Sequence, residues 1–455
     1  MGIRSLIKKL IPKSLFGKIE PLGHLIEAVL LHAVNGFPMR GLKVIGVTGT
    51  NGKTSTSFMI HRMLVESGYK AGLMSTVAYG VGNDIHQQVA HMTSVSVPEL
   101  IKRVKQMKSE GMDWLVLETT SHALAQSRVW GVPFNIAVLT NLTHEHLDYH
   151  GSFENYRDAK RKLFQLTNKN KRGMRLGIVN AEDENSEFFQ SDIANVQSYG
   201  LNTGDIRAQN LKLTSGGSRY LAKIGDDEYK IDCHLPGSFN VANSLAAVLV
   251  GRAVGLTKGQ IQKGIAALRG VEGRMERIDE GQDFEVIVDY AHTPDSFEKL
   301  FKDLKPVTTG RLIVTFGSAG RRDEAKRAVQ GELAGKYADV IVVTEEDDRD
   351  IDGQEIMNQI AEGAKRAGKV EGKDLFLVHD RVDAIQFAIN HAKRGDIVLL
   401  LGKGHEKDIL RNGPKAAELR HLQQDDHNPD RVIEFPWNEV QTTRKLLRSL
   451  IETKS

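Results

Sequence analysis

One cysteine, Cys233, stands in 455 residues. The chain therefore forms no disulfide within itself and builds no zinc site from several thiolates. A buried free thiol in a reducing cytoplasm is the expected state. No run of about 18 uncharged apolar residues occurs, so no membrane-spanning helix is expected. A surplus of one charge is missing as well: 61 Lys and Arg against 58 Asp and Glu leave +3. That balance does not make nucleic acid the default partner. Repeats and low-complexity tracts are absent. What is present, 40% hydrophobic and 26% charged residues, is globular, and at about 150 residues per domain the length allows about three domains. Near the N-terminus, Lys8 and Lys9 precede Leu10 and Ile11, and residues 22–37 (LGHLIEAVLLHAVNGF) are apolar. His24, Glu27 and His32 interrupt that stretch, and no small-residue cleavage pattern follows. A short amphipathic helix on the first domain is expected rather than a signal peptide. A peripheral membrane contact through Lys8, Lys9, Lys13 and Lys18 is the other reading.

Short β-branched runs alternate with helical patterns. KVIGV (43–47), WLVLE (114–118), IAVLT (136–140), VIVDY (286–290), RLIVTF (311–316), DVIVVT (339–344) and IVLLL (397–401) read as buried parallel strands. Between two of them, Pro98 opens a helix whose face is Leu100, Ile101, Val104 and Met107, and Gly111 ends it. The fold class is α/β with a mostly parallel sheet. Residues 205–234 alternate polar and apolar with turns at Gly216-Gly217 and Gly225-Asp226, which predicts a small antiparallel patch. Asn168 to Gly173 (NKNKRG) reads as a polar loop, and a boundary follows the glycine-rich segment Gly270 to Gly273. The expected organisation is a helical segment over 1–40, a central domain over 41–273 and a C-terminal domain over 274–455.

The strongest local signal is KVIGVTGTNGKTST, Lys43 to Thr56. It reads as strand, glycine-rich turn and helix, the arrangement in which backbone N–H groups and a helix N-terminus hold phosphate. Gly49, Thr50, Asn51 and Gly52 form the turn, Lys53 reaches terminal phosphates, Thr54 offers its hydroxyl to Mg²⁺, and Ser55 follows on the helix. The strict pattern places glycine where Val47 stands; Gly46 is one residue out of register, so the loop is a variant.

Glu118 ends a strand and so points into the crevice at the sheet's carboxyl edge, where it can hold a hard cation such as magnesium. The segment THEHLDYHG sets His144, Glu145, His146, Asp148 and His150 within seven residues. It reads as one histidine joining a magnesium shell, as a zinc site, or as ordinary hydrogen-bonded loop histidines, the last applying to His144.

Six ordered segments carry a resemblance: GVTGTNGKTST, ETTSHALAQSRVWGVPFNIAVLTNLTHEHLDYHGSFENYRDAKRKLF, LPGSFNVANSLAA, GRMERI, VDYAHTPDSFEKL and GKGHE. Over roughly residues 41–410 the chain resembles the Mur ligase family of ATP-dependent amide-forming enzymes, its tripeptide-synthetase branch most closely. The resemblance implies a P-loop central domain and a Rossmann-like C-terminal α/β domain. It implies transfer of the γ-phosphoryl of ATP to a carboxylate, attack on the acyl phosphate by an amino acid's amine, and release of phosphate. The acceptor would be UDP-N-acetylmuramoyl-L-alanyl-D-glutamate, in cytoplasmic peptidoglycan precursor synthesis, and the incoming amino acid meso-diaminopimelate or L-lysine. By the same resemblance, Thr54 and Glu118 bind one magnesium and His146 a second, while Lys160 is carbamylated and helps hold metal. Lys53, Lys160, His146 and Glu118 form the catalytic set. Asn240, Asn243, Arg274, Asp289 and His292 contact ATP. Thr93, Ser121 and Arg128 hold the acceptor, and Arg349, Gly402 and Glu406 the amino acid. The C-terminal domain is expected to close over the nucleotide.

The departures are informative. Only about 40 residues precede the phosphate loop, so the family's uridine-gripping domain is expected to be absent or replaced. Met92-Thr93-Ser94 matches the family's Thr-Thr-Pro segment only in part, and Glu145 stands where the family has aspartate. The amino-acid-selecting segment Asp-Asn-Pro-Arg-x-Glu reads Glu346-Asp347-Asp348-Arg349-Asp350-Ile351. Arg349 remains and could grip a carboxylate bidentately. The competing readings are a folylpolyglutamate-synthase-like or other polyamide ligase, and a non-catalytic nucleotide-binding partner.

Overall fold

The structure, a computed structural model, describes residues 13–88, 95–145, 147–421 and 428–454. The chain divides into two compact units. The first comprises residues up to Leu211, Arg219–Cys233 and Phe239–Leu268; the second comprises Lys212–Ser218, His234–Ser238 and the residues from Arg269 onward. As far as it is described, the helical segment over 1–40 falls within the first unit.

The first sheet has eleven strands. They are β1 (Lys43–Thr48), β2 (Ala71–Met74), β3 (Ala78–Val81), β4 (Asp84–Gln87), β5 (Trp114–Glu118), β6 (Phe134–Leu139), β7 (Leu176–Asn180), β8 (Asn195–Gly200), β9 (Ile206–Thr214), β10 (Gly217–Ile224) and β11 (Asp227–Cys233). Their order is β11-β10-β9-β8-β7-β6-β1-β5-β2-β3-β4. The apolar runs explain the middle: every residue of β5 and β6, and all of β1 after Lys43, is buried, as a strand covered on both faces requires. β1 pairs in parallel with β5 and β6, with Val47 opposite Glu118 and Thr48 opposite Leu139. This register brings three carboxyl ends to one edge. The β9–β11 region is not a separate patch but one flank of this sheet, and its first turn is Ser215-Gly216, one residue earlier than the glycine pair predicts.

Helices of this unit are α1 (Lys13–Val34), α2 (Lys53–Glu66), α3 (Val97–Ser109), α4 (Phe153–Lys169), α5 (Ser238–Ala253) and α6 (Lys258–Ala266). Leu100, Ile101, Val104 and Met107 of α3 are buried as their spacing predicts. α4 runs through Asn168 and Lys169, so the polar stretch read as a loop begins inside the helix. Cys233 is buried and, as the chain's single cysteine, forms no disulfide within it.

The second unit has six strands in the order β12-β13-β17-β14-β15-β16. They are β12 (Glu276–Ile278), β13 (Glu285–Asp289), β14 (Leu312–Phe316), β15 (Val340–Val343), β16 (Leu375–Leu377) and β17 (Ile397–Leu401). All but β12 run parallel, with Asp289 opposite Leu401 and Phe316 opposite Val343. A two-stranded ribbon of β18 (Asp408–Asn412) and β19 (Val432–Pro436) lies beyond. Helices α7 (Pro294–Leu304), α8 (Ala325–Tyr337), α9 (Gly353–Arg366), α10 (Arg381–His391) and α11 (Glu439–Lys454) complete it. Buried Arg381 of α10 pairs with Glu439 of α11 at 2.7 and 2.9 Å. Among the described residues no helix is long and apolar enough to cross a membrane.

Candidate active site

Gly49 and Gly52 adopt φ values of 147° and 83° between β1 and α2. Space as well as conformation demands glycine: a Cβ on Gly49 would meet Thr140 Oγ1 at 1.9 Å, and one on Gly52 would meet Asn243 Oδ1 at 2.6 Å. The loop is braced from the β6 end. The Thr50 amide donates to the Asn141 carbonyl (2.8 Å), the Asn51 amide to Asn141 Oδ1 (3.0 Å), and Thr140 Oγ1 to the Asn51 carbonyl (2.6 Å). The first turn of α2 offers N–H groups that have no partner within the helix, and its dipole adds positive potential. Lys53 curls over this cradle, donating to the Gly49 and Thr50 carbonyls at 3.1 and 2.7 Å.

Beneath the loop, Glu118 is 1% exposed. It accepts from Thr54 Oγ1 at 3.1 and 3.2 Å, from the Thr76 amide at 3.0 Å and from Thr76 Oγ1 at 2.9 Å. Among the described residues it makes no ion pair. A buried carboxylate answered only by neutral donors, with a hydroxyl beside it, is a donor set that suits a hard divalent cation. Lys160 of α4 is also 1% exposed and donates to the Gly49 carbonyl at 2.6 Å. Its ammonium lies 4.6 Å from the Tyr156 ring centroid. Burial, reinforced by Lys53, holds its pKa well below the ordinary lysine range, against the pull of Glu145 and Glu118. Tyr156 in turn shares a hydrogen bond with Thr50 Oγ1 at 2.9 Å. Five of the expected site positions (Gly49, Lys53, Thr54, Glu118 and Lys160) are thus gathered at one sheet edge.

Ser55 is buried in the first turn of α2. Asn243 donates to Asn240 Oδ1 at 3.1 Å on α5, so the two asparagines form one group beside Gly52. Ser121 opens the short helix Ser121–Ala125, and its buried hydroxyl has no hydrogen-bond partner among the described residues. Arg128 donates to Gln126 Oε1 at 2.8 Å. Thr93 and His146 lie outside the described residues. Of the other loop histidines, His144 stacks on Phe153 at 4.5 Å and His150 packs 5.4 Å from Tyr156.

In the second unit, Asp289 is buried at the end of β13 and accepts from the Met275 and Ala291 amides, both at 2.7 Å. Burial raises its pKa, offset in part by Arg274 and those two amides. The Arg274 guanidinium lies 4.4 Å from the Tyr290 ring centroid, and His292 bonds the Tyr290 carbonyl at 2.9 Å. Next to Leu401, Gly402 has φ 102° and abuts Glu346: an added Cβ would come within 2.6 Å of Glu346 Oε2. Glu346 is 7% exposed and, among the described residues, makes no hydrogen bond or ion pair. Glu406 accepts from Lys403 at 2.6 Å and from Tyr290 at 3.2 Å. Arg349 has φ 54°, in the left-handed region, and donates to the Gly320 carbonyl at 2.7 Å, with Asp347 at 3.9 Å. The guanidinium expected to grip a carboxylate is therefore engaged with its own chain. Strained, buried arginine is seldom found without a functional demand.

Glu345, Asp348 and His379 bring ligand-type atoms within 4.8 Å of one another. Arg411 already takes both oxygens of Glu345, and His379 pairs with Asp348 at 2.6 Å. This group is an ion-pair lattice rather than a metal centre. Sequence reading missed the braces: Thr76, Asn141 and Tyr156 in the first unit and Lys403 in the second. Asn141 and Thr76 each sit just past the carboxyl end of a strand, a position that marks crevice residues. Lys403 lies within GKGHE, where only its neighbours were singled out.

Family models match two parts of the chain: the Mur ligase middle domain over residues 47–251, and the Mur ligase, glutamate ligase domain over residues 273–404. The chain is 40% identical to a UDP-N-acetylmuramyl-tripeptide synthetase of Roseiflexus sp. (strain RS-1), over 86% of its own length and 79% of the relative's. It is also 40% identical to a UDP-N-acetylmuramoyl-L-alanyl-D-glutamate--2,6-diaminopimelate ligase of Syntrophomonas wolfei, over 84% and 77% of the two chains. Among solved structures, a UDP-N-acetylmuramoyl-L-alanyl-D-glutamate--2,6-diaminopimelate ligase aligns with TM-score 0.63 and 26% identity, covering 93% of this chain and 81% of that one. A Mycobacterium tuberculosis folylpolyglutamate synthase shares the fold, with TM-score 0.66 at 16% identity over 88% and 96% of the chains.

Proposed function

The chain belongs to the Mur ligase family of ATP-dependent, ADP-forming amide ligases, and from that premise we propose that it adds a diamino acid to UDP-N-acetylmuramoyl-L-alanyl-D-glutamate in cytoplasmic peptidoglycan precursor synthesis, the wall pathway on which cell shape and division depend. The observation that carries this reading is the grouping of Lys53, Thr54, Glu118 and Lys160 around the Gly49–Gly52 turn.

The chemical difficulty is to bring a carboxylate against a triphosphate, since both are anions. Lys53 leaves the two loop carbonyls and places its ammonium on the terminal phosphate. The loop amides hold the chain of phosphates in line. Thr54 and Glu118 are the residues that would hold magnesium, with His146 contributing, and the cation would supply Lewis-acid offset of the phosphate charge. Asn240 and Asn243 flank the nucleotide beside Gly52; Arg274, Asp289 and His292 are assigned to it by the family resemblance alone. Ser121, Arg128 and Thr93 hold the acceptor.

Lys160 has the property that carbamylation needs. The ammonium first gives up a proton, since only a neutral amine attacks CO₂; a nitrogen–carbon bond then forms as one C=O π bond of CO₂ opens, a second proton is lost, and the former cation is an anion. Burial and Lys53 bias Lys160 toward that neutral amine. As a carbamate it would join Glu118 as an oxygen donor.

A diamino acid suits the acidic group beside Gly402, just past β17. Glu346, buried and without an ion-pair partner among the described residues, answers a distal ammonium together with Glu406. Arg349, on leaving the Gly320 carbonyl, answers a carboxylate, which places diaminopimelate ahead of lysine. The test is phosphate release from ATP with UDP-muramyl dipeptide and, separately, diaminopimelate, lysine, ornithine or glutamate. Stimulation by diaminopimelate is expected. Stimulation by glutamate alone would favour a polyglutamate ligase, and no stimulation by any pair would favour a nucleotide-binding partner.

A further inference from the structure

Helix α1 has two sides of different character. One side is fixed to the first unit: Ala28 and His32 are 0% and 1% exposed, and the His32 ring packs edge-on 5.4 Å from Trp130. Just past the helix, Lys105 of α3 donates to Asn35 Oδ1 at 2.7 Å, and Lys108 to the Pro38 carbonyl at 3.0 Å. The other side shows Ile26, Leu30 and Val34 at 52%, 58% and 85% exposure. Their four-residue spacing puts them in one stripe. The other exposed large apolar residues among those described lie elsewhere in the chain, Val329 on α8 and Val370 in the loop after α9 among them. An anchored helix that keeps its leucine and isoleucine in water carries a hydrophobic cost that no contact among the described residues relieves.

Charge shows what relieves it. In the sequence, apolar residues continue upstream at the same three- and four-residue spacing as Ile19, Phe16 and Leu15. Among residues 1–19 there are five cations (Arg4, Lys8, Lys9, Lys13 and Lys18) and no Asp or Glu. The chain as a whole carries almost equal numbers of each sign, so this segregation is local. A second copy would set these cations against each other. An anionic surface offers them partners and takes the apolar stripe at the same time.

We propose that the exposed face of α1 is a docking surface for an anionic lipid bilayer, with Ile26, Leu30 and Val34 entering the headgroup–acyl boundary and the excess of cations in the N-terminal sequence supplying the attraction to the headgroups. The helix lies along the surface and does not span it. Each lysine near such a surface strengthens partitioning about fivefold, so the attachment is reversible and sensitive to salt.

The test is co-sedimentation of the full chain with sucrose-loaded vesicles of phosphatidylcholine, with and without phosphatidylglycerol. The wild type is expected to sediment with the anionic vesicles, to bind pure phosphatidylcholine far more weakly, and to dissociate as salt rises. Ile26→Glu combined with Leu30→Glu should reduce partitioning at least tenfold while leaving the melting temperature and the ATP turnover in solution unchanged. Lys13→Gln with Lys18→Gln should reduce it on anionic vesicles only. Three results overturn the proposal: no sedimentation of the wild type with anionic vesicles, equal sedimentation of the Ile26/Leu30 double variant, or a wild-type dimer by light scattering that this variant dissociates, which would assign the stripe to a second copy.

Discussion

Lys160 and Lys403 are both buried lysines beyond a sheet's carboxyl edge, yet their surroundings are opposite. Lys160 meets a backbone carbonyl and a tyrosine ring, and among the described residues no carboxylate is within ion-pair distance. Lys403 lies between Asp347 and Glu406 at 2.9 and 2.6 Å. Burial would lower the pKa of either. At Lys160 nothing offsets it fully and the pKa falls; at Lys403 the two carboxylates more than compensate and the pKa rises. The first unit therefore keeps a buried amine and a buried carboxylate that make no ion pair among the described residues. The second matches most of its buried charges internally, while Asp289 is answered by two backbone amides and Glu346 makes no hydrogen bond or ion pair among the described residues. Depth of burial alone does not decide what a lysine does; its counter-charges do.

The sharpest way to break this comparison is to remove charge from each site in turn. Lys53→Ala is expected to reduce ligase turnover about a thousandfold, read as phosphate release, with no change in melting temperature. Lys160→Arg should reduce turnover about a hundredfold and abolish a carbamate carbon signal in ¹³C-bicarbonate-equilibrated protein. Lys403→Met should leave that signal intact and instead cost about 3–5 kcal/mol of stability, because it strands Asp347 and Glu406, measured by denaturant unfolding. Glu346→Gln and Arg349→Ala should each raise the KM for the amino acid about tenfold with a smaller change in KM for ATP; if the amino-acid dependence of either is untouched, the pocket is misassigned.

The histidines sharpen the same contrast through pH. Burial lowers the pKa of His61 in the first unit to about 4. Its contribution is complete above the ordinary histidine value of about 6.5 and is lost as pH falls toward 4, at most about 3 kcal/mol. His379 in the second unit has its pKa raised by Asp348. Its contribution is complete below about 6.5 and is lost as pH rises through the elevated value. Between pH 7.5 and 5, His61→Leu should lose less melting temperature than the wild type. Between pH 6 and 8.5, the wild type's advantage over His379→Asn should shrink.

The strands and the phosphate loop were legible because their signals are local. A continuous apolar run marks a strand covered on both faces, as in β5 and β6, and a glycine-rich turn before Lys53 carries its own geometry. The braces were not legible. Thr50 meets Tyr156 across 106 positions, and Asn51 meets Asn141 across 90. Such pairs are set by parallel register, which no short segment encodes. Arg349 shows the same limit: its motif position implied an open clamp, whereas its contacts with Gly320 and Asp347 depend on loops brought together by the fold. The turn at Ser215-Gly216 was displaced by one residue because Gly217 already belongs to β10, at φ 140°.

The account rests on a carboxyl oxygen attacking the terminal phosphorus of ATP held in the turn after β1. It is tested most directly by supplying the acceptor with ¹⁸O in its reacting carboxylate and analysing the released phosphate by mass spectrometry. The account predicts one ¹⁸O in each phosphate released, since that oxygen leaves with phosphorus when the amine displaces it. Phosphate free of the label, formed at the same rate as the amide, would contradict it.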